Sequence, residues 1–393
     1  MPNLLRVLLL LPLLLGSLGA KAEPMGPERT LESLFEGWGI TAERFAPSFL
    51  AQVLPSEVER IVGGLTRELG ALQAVERSDA GFTLRFAEAE VPARIALDGE
   101  GRIAGLWFGA PQPLGAIAEQ AAAIAALPGE TALLVLSDGE TVAAANPDRP
   151  LAVGSAAKLA VLLAVKRAVD EERLAWDRVV PLEAAWRSLP TGQLQDWPAG
   201  TPVTVSTLAN LMISISDNTA TDALIQLVGR DAVEAVTPRN APFPTTRELF
   251  VLKAEDNAAL RDAWRAGDAA ARRALLGRIA EAPLPPAGGL SQEVTADIEW
   301  FMTARELCDL LDATTALPAL AINPGAIDPE PWQAVAYKGG SEPGVLNLSA
   351  RLVGRDGRTH CVVATWNGDA SLDDNKLVAR FRAIVARLAA AAG

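Results

Sequence analysis

Three short strings carry the residue types needed for acyl transfer without a histidine: Ser155-Ala156-Ala157-Lys158, Ser216-Asp217-Asn218 and Lys338-Gly339-Gly340-Ser341. Residues three apart on a helix share a face, so the Ser155 hydroxyl and the Lys158 amine can meet there as nucleophile and base. That base must be neutral. A lysine ordinarily at about 10.4 has to fall by about 3 units, worth about 4 to 5 kcal/mol, to serve at neutral pH. Burial and a second cation at Lys338 both push it that way. The spacing predicts a helix that begins at Ser155: Gly154 allows a tight turn into it, and the apolar run 159–165 suits burial. Its first-turn amides would then direct partial positive charge at a carbonyl oxygen becoming an oxyanion.

Composition removes competing mechanisms. His360 is the single histidine, set in the strand-like string Thr359-His360-Cys361-Val362-Val363-Ala364, so it reads as structural rather than as a triad member. With that histidine and only Cys308 and Cys361, no Cys/His metal cluster can be assembled, so neither a metal nor a cofactor is expected. A formal charge of -13 without a basic cluster argues against nucleic acid or an anionic membrane as partner. Lysine is scarce: of Lys21, Lys158, Lys166, Lys253, Lys338 and Lys376, two fall inside the three strings.

Taken in order, the strings resemble the signature set of class A β-lactamases and penicillin-binding serine hydrolases. The text from Leu208 to Asn210 and on through Ser216 to Ala220 is similar to that family's helix, polar loop and following helix. The resemblance covers residues 117–390 and implies roles residue by residue. Ser155 is the acylated nucleophile and Lys158 its base. Ser216 relays a proton to the leaving group, Asn218 orients a substrate amide and the lysine, and Asp217 shapes the loop. Lys338 attracts a substrate carboxylate, Gly339 and Gly340 allow close backbone approach, and the Ser155 and Ser341 amides form the oxyanion hole. Two departures stand out. Gly339 replaces the usual threonine or serine after the lysine, with Ser341 a partial substitute. The Glu-x-x-Leu-Asn loop that activates the deacylating water is missing between Asn218 and Lys338. Glu248 and Glu255 lie in that stretch but read as solvated or helix-capping charges. Slow β-lactam turnover is the expected consequence.

These residues need a frame to hold them. Residues 1–22 read as an export signal: Arg6, an apolar run 7–15, then Ala20-Lys21-Ala22 as the cleavage site. No lipid-accepting cysteine follows it and no comparable apolar run appears later, so a periplasmic or secreted protein without a membrane anchor is expected. Residues 23–110 form a first domain, with helices near 31–38 and 55–69 and strands 72–77, 82–86, 91–97 and 103–108. Asp98-Gly99-Glu100-Gly101 supplies a hairpin turn between the last two strands. That order resembles a small NTF2-like, steroid-isomerase-like α+β domain, in which Glu88 and Glu90 read as solvated strand charges.

Residues 111–393 form the hydrolase domain, opening after a linker at 110–114 with a helix 116–126. Strands from both ends of this segment build an antiparallel sheet, a helical insert spans 160–315, and a closing helix covers the sheet. The whole is an α+β chain: a β-lactamase/transpeptidase-like domain preceded by the NTF2-like one. Cys308 and Cys361 read as two buried free thiols. Trp176, Trp186 and Trp197 read as packing residues rather than cleft walls. The implied activity is hydrolysis of a small ester or β-lactam with weak β-lactamase activity. The alternatives are a peptidoglycan D-alanyl-D-alanine carboxypeptidase, or a sensor that keeps the fold without the chemistry.

Overall fold

The computed structural model describes residues 25–37, 39–78, 81–86, 89–109, 111–113, 115–291 and 294–390. The expected signal segment 1–22, Trp38 and Glu88 lie outside the described residues. The chain divides into two compact units between Pro111 and Gln112.

In the first unit, helices α1 (Pro27–Phe35) and α2 (Pro55–Leu69) each begin on a proline, which fits a first helical turn with no use for that N–H. Four antiparallel strands follow, β1 (Leu72–Ser78), β2 (Gly81–Phe86), β3 (Ala89–Leu97) and β4 (Ile103–Phe108), each paired with the next. Alternation decides the faces: Phe82, Leu84 and Phe86 point into a core that also takes Leu31, Leu34, Val58 and Val62 from the helices. The expected hairpin turn forms, with Asp98 Oδ1 accepting from the Glu100 and Arg102 amides at 2.9 Å each and Gly101 at φ 79°. Glu90 lies against Arg85 at 3.3 Å on the strand surface.

The second unit is built on a sheet of β5 (Glu130–Ser137), β6 (Glu140–Ala145), β7 (Trp332–Glu342), β8 (Val345–Gly354) and β9 (Thr359–Asn367). Its spatial order is β7-β8-β9-β5-β6, every neighbouring pair antiparallel. Both faces are covered, which is why the central β9 is buried almost without interruption. Leu133, Val135, Val362 and Ala364 face one core with α3 (Ile117–Ala125) and α9 (Asp374–Ala390). Leu134, Cys361 and Val363, one residue out of step, face the other core with the helical subdomain.

At the centre of that subdomain runs α4 (Lys158–Asp170), with Leu159, Ala160, Val161, Leu162 and Val165 fully buried; its first half, apolar on all sides after Lys158, belongs at the heart of a domain. Around it stand α5 (Val205–Ser214), α6 (Asn218–Val228), α7 (Thr246–Lys253) and α8 (Ala304–Thr314). Each is fixed by a side-chain cap: Thr204, Asp217, Thr245 and Thr303 accept from amides in their first turns. The proline- and glycine-rich stretch after Glu281 is a loop ending in a single 3₁₀ turn, Ala287–Gly289.

One expectation is overturned. Cys308 on α8 and Cys361 on β9 are not free thiols but a disulfide, with Cα atoms 5.9 Å apart. Helix α8 packs on the inner face of the sheet, and that tertiary contact brings together two cysteines separated by 53 positions. Among the described residues, no helix is long and apolar enough to cross a membrane, and no group of histidine, cysteine and acidic side chains is placed to hold a metal.

Candidate active site

Ser155 lies where the sheet meets the helical subdomain. The α-helix does not begin at Ser155 as the spacing suggested. A 3₁₀ turn, Gly154–Ala157, comes first and α4 starts at Lys158. Three residues per turn puts Ser155 and Lys158 on one side of that tighter coil. Gly154 has φ 51°, a left-handed conformation that suits glycine. Strand β7 runs against this turn so closely that a Cβ on Gly340 would lie 2.1 Å from the Val153 carbonyl oxygen and 2.5 Å from the Ser155 amide nitrogen. On Gly154 a Cβ would lie 3.2 Å from the Ser341 amide nitrogen. The two glycines therefore set the Ser155 and Ser341 backbones side by side.

Two lysines converge beside them. Lys158 Nζ donates to the Ser216 carbonyl at 2.6 Å, Ser216 Oγ at 3.1 Å and Asn218 Oδ1 at 2.6 Å. Lys338 Nζ reaches the same Ser216 Oγ at 3.1 Å from the other side and donates to the Gly339 carbonyl at 2.6 Å. One hydroxyl thus joins two amines. Burial lowers Lys158 to about 7 against the pull of Asp222, Asp217, Glu342 and Glu299, which brings its neutral form within reach at neutral pH. Burial, and then the neighbouring Lys158, push Lys338 well below its ordinary value.

The polar loop before α6 is shaped for this task. Ser216 sits at φ 58°, unusual for a residue with a side chain, and its carbonyl accepts from Thr191 Oγ1 at 2.7 Å as well as from Lys158. Asp217 is buried, caps α6 through the Ala220 amide at 2.8 Å, and takes the Gln193 and Leu194 amides at 2.8 and 3.0 Å, a structural duty. Asn218 donates from Nδ2 to the Leu189 carbonyl at 2.9 Å, which orients its oxygen toward Lys158.

These groups open onto a cleft of about 790 Å³. Ser155, Ser216, Lys338 and Ser341 lie on its polar side, and Ile213, Ile215 and Leu290 are among its apolar lining. Tyr337 also lines it, and the sequence had given that residue no role. A Cβ on Gly339 would lie 2.5 Å from the Tyr337 hydroxyl and 3.0 Å from the Asn347 carbonyl oxygen, so the threonine or serine of the family pattern would require the Tyr337 ring to shift; here a phenol hydroxyl occupies those surroundings. Behind Ser155 is a second, much smaller void of about 20 Å³, lined by Ser155, Asn218, Lys253, Glu299 and Glu342 among others. Lys253 and Glu299 form a buried ion pair, and Glu342 Oε2 stands 3.7 Å from Lys253 Nζ. Nothing in the spacing of positions 253, 299 and 342 flagged this cluster, because three separate segments contribute to it.

The other sequence candidates lie elsewhere. Glu248 is capped onto Thr245 and forked onto Arg230 at 2.8 and 2.9 Å; it is a helix-capping charge but a buried one, not solvated. Glu255 is exposed on a 3₁₀ turn. His360 is buried against the Trp332 ring, and burial lowers its pKa. Its register partner Leu352 pairs with Val335, well along the sheet from Gly340. Trp186 is core, Trp176 and Trp197 pack against that core, and none of the three lines the cleft.

A sheet covered on both faces, with a serine turn at its junction with a helical subdomain, is the β-lactamase/transpeptidase-like α+β architecture. The chain belongs to the beta-lactamase enzyme family, whose model matches residues 116–390, and so carries a serine hydrolase fold. Among solved structures it is similar to a beta-lactamase from Sphaerobacter thermophilus DSM 20745, 23% identical, covering 70% of this chain and 96% of that one with a TM-score of 0.49. It is also similar to PBP-A, 16% identical over 69% and 94% of the two chains with a TM-score of 0.47. A beta-lactamase from Chitinophaga pinensis DSM 2588 is 20% identical over 70% and 98%, with a TM-score of 0.45. No curated protein matches the chain.

Proposed function

We propose that this is an exported serine hydrolase that forms an acyl-enzyme on Ser155 and hydrolyses small esters and β-lactams, the latter with slow release. The observation that carries the reading is the single Ser216 hydroxyl held 3.1 Å from both Lys158 Nζ and Lys338 Nζ in the cleft that Ser155 opens onto. In its neutral form Lys158 takes the Ser155 proton as Oγ attacks the carbonyl carbon. The Ser155 and Ser341 amides receive the oxyanion. Ser216 then passes a proton from the lysines to the leaving group. A substrate carboxylate entering beside Lys338 raises that amine again and pairs with it, and Tyr337 offers a hydroxyl where the family places a threonine or serine. The disulfide supports export, since such bonds persist in oxidising compartments.

The test is intact-mass spectrometry after exposure to benzylpenicillin and to an activated short-chain ester, followed by peptide mapping. An adduct on Ser155 that is absent from Ser155→Ala, together with loss of hydrolysis in that variant, is expected. An adduct on Ser216 or Ser341 instead sinks the assignment.

A further inference from the structure

The acyl-enzyme reading leaves a question of chemistry: the Glu-x-x-Leu-Asn carboxylate is missing, yet an acyl-serine needs a base to admit water. We infer that Glu342 is the general base of deacylation and that its water sits in the small void between Ser155 and the Lys253–Glu299 pair. This inference rests on the acyl-enzyme reading of Ser155.

Volume is the first argument. A void of about 20 Å³ accommodates a single water, for which roughly 10 to 15 Å³ suffices when polar partners surround it. Ser155, Asn218, Thr246, Lys253, Glu299 and Glu342 supply those partners. The second argument is direction. Successive strand residues point to opposite faces, so the β7 residue after Ser341 turns away from the side Ser341 faces and toward the back of the serine turn. Glu342 lines both the open cleft and the void behind Ser155, so a proton taken from the water has a path to solvent.

Elimination gives the third: of the described carboxylates, only Glu299 and Glu342 line the void, and others buried nearby are engaged elsewhere. Asp217 and Asp222 spend their oxygens on backbone amides, and Glu248 spends its own on Arg230 and the Thr245 amide. Glu299 is nearly sealed, with Oε1 on Lys253 and Oε2 accepting the Trp300 amide at 3.3 Å. Glu342 keeps 28% of its side chain exposed and meets Lys253 only at 3.7 Å. Burial, with the neighbouring Glu299, raises the Glu342 pKa above the ordinary carboxylate value while Lys253 and Lys158 oppose the shift, so the carboxylate is a stronger base than an exposed one. Lys253 and Glu299 are positioning residues that aim it.

In the step itself, the Glu342 carboxylate removes one proton from the water as its oxygen bonds to the acyl carbon. The tetrahedral oxyanion collapses and the carbon–Oγ bond breaks; Ser155 Oγ takes a proton from Lys158, which has picked one up from solvent, and Glu342 releases the proton it took back to solvent through the cleft. Acyl-serine and water become serine and a carboxylic acid.

Stopped-flow acylation and deacylation rates, with intact mass at fixed times, test this on Glu342→Gln in the full chain. Acylation within a few-fold of the parent, with deacylation slowed about 10² to 10⁴ and a lasting adduct on Ser155, is the expected result. Glu255→Gln should leave both rates unchanged. Deacylation of Glu342→Gln within a few-fold of the parent overturns the inference and leaves the acyl-enzyme reading standing. If Glu342→Gln fails to acylate, Glu342→Asp decides: normal acylation with slowed deacylation supports the base, and loss of both steps overturns it. A parent protein that hydrolyses without a Ser155 adduct overturns the underlying reading, and this inference with it.

Discussion

In the proposed reaction the lysine beside Ser155 is the residue on which the chemistry turns, because the site would have to make an amine basic without leaving it charged. Burial does most of that work, bringing Lys158 to about 7 although four acidic groups pull upward. The sign of the pH dependence follows. In the proposed mechanism the reactive form is neutral and the depressed pKa lies at about 7, so acylation should reach its plateau above that value and fall as pH drops through it, about tenfold per unit further down. Acylation rate measured between pH 5 and 9 checks this, and a profile flat across pH 7 in an active protein would contradict a lysine base. Lys158→Ala should lose about 10² to 10⁴ in acylation. The structure gathers Ser155, Lys158, Ser216, Asn218 and Lys338 at one cleft, and the strings holding them were legible in the sequence, since short motifs keep chemical groups at fixed spacing. Tyr337 was not, because its relevance arises only from the missing side chain at Gly339, two residues along the same face of β7.

At the scale of elements, the site is a crossing between a strand and a turn, and glycine makes that crossing possible. A methyl group on Gly340 would have to share space with the Val153 carbonyl and the Ser155 and Ala156 amides, all backbone atoms that cannot swing aside. Gly340→Ala should therefore push β7 away from the serine turn, separate the Ser155 and Ser341 amides, and cut acylation by about 10² or more, the loss associated with one oxyanion donor. Acylation kinetics on the purified variant, with its far-ultraviolet spectrum matching the parent, would show this. Acylation at the parental rate would mean the two amides do not act together. The strands themselves were readable from alternation and the hairpin turns, and several helices from apolar runs, while the insert 160–315 was legible only as helical overall. The start of α4 was not: a 3₁₀ turn and a first α-helical turn differ by one hydrogen-bonding step, which residue spacing does not register. The Lys253, Glu299 and Glu342 cluster was equally hidden, because α7, the segment before Trp300 and the end of β7 meet only after the sheet and subdomain have packed.

Over the whole molecule, the second unit draws its sheet from both ends of one segment and its site from the helices inserted between them. Such long-range closure is costly in chain entropy, and the Cys308–Cys361 bond offsets part of that cost by tying the helical subdomain to the sheet at β9. Sequence separation gave no sign of the pairing, since 53 intervening steps place no geometric limit on two cysteines until α8 lies on the sheet. Closing a loop of that size should stabilise the unit by about 4 kcal/mol on the chain-entropy model, with measured values usually about 2 to 4. Replacing both cysteines by serine should lower the urea midpoint accordingly. Tryptophan fluorescence is the suitable probe, because seven of the nine tryptophans lie beyond residue 111 and so report on this unit. The acylation rate of the folded double variant should stay close to that of the parent, since neither cysteine lines the cleft. An unchanged urea midpoint would show that sheet and subdomain hold together by packing alone, and a collapse of acylation in the folded variant would show that the bond instead maintains the serine turn.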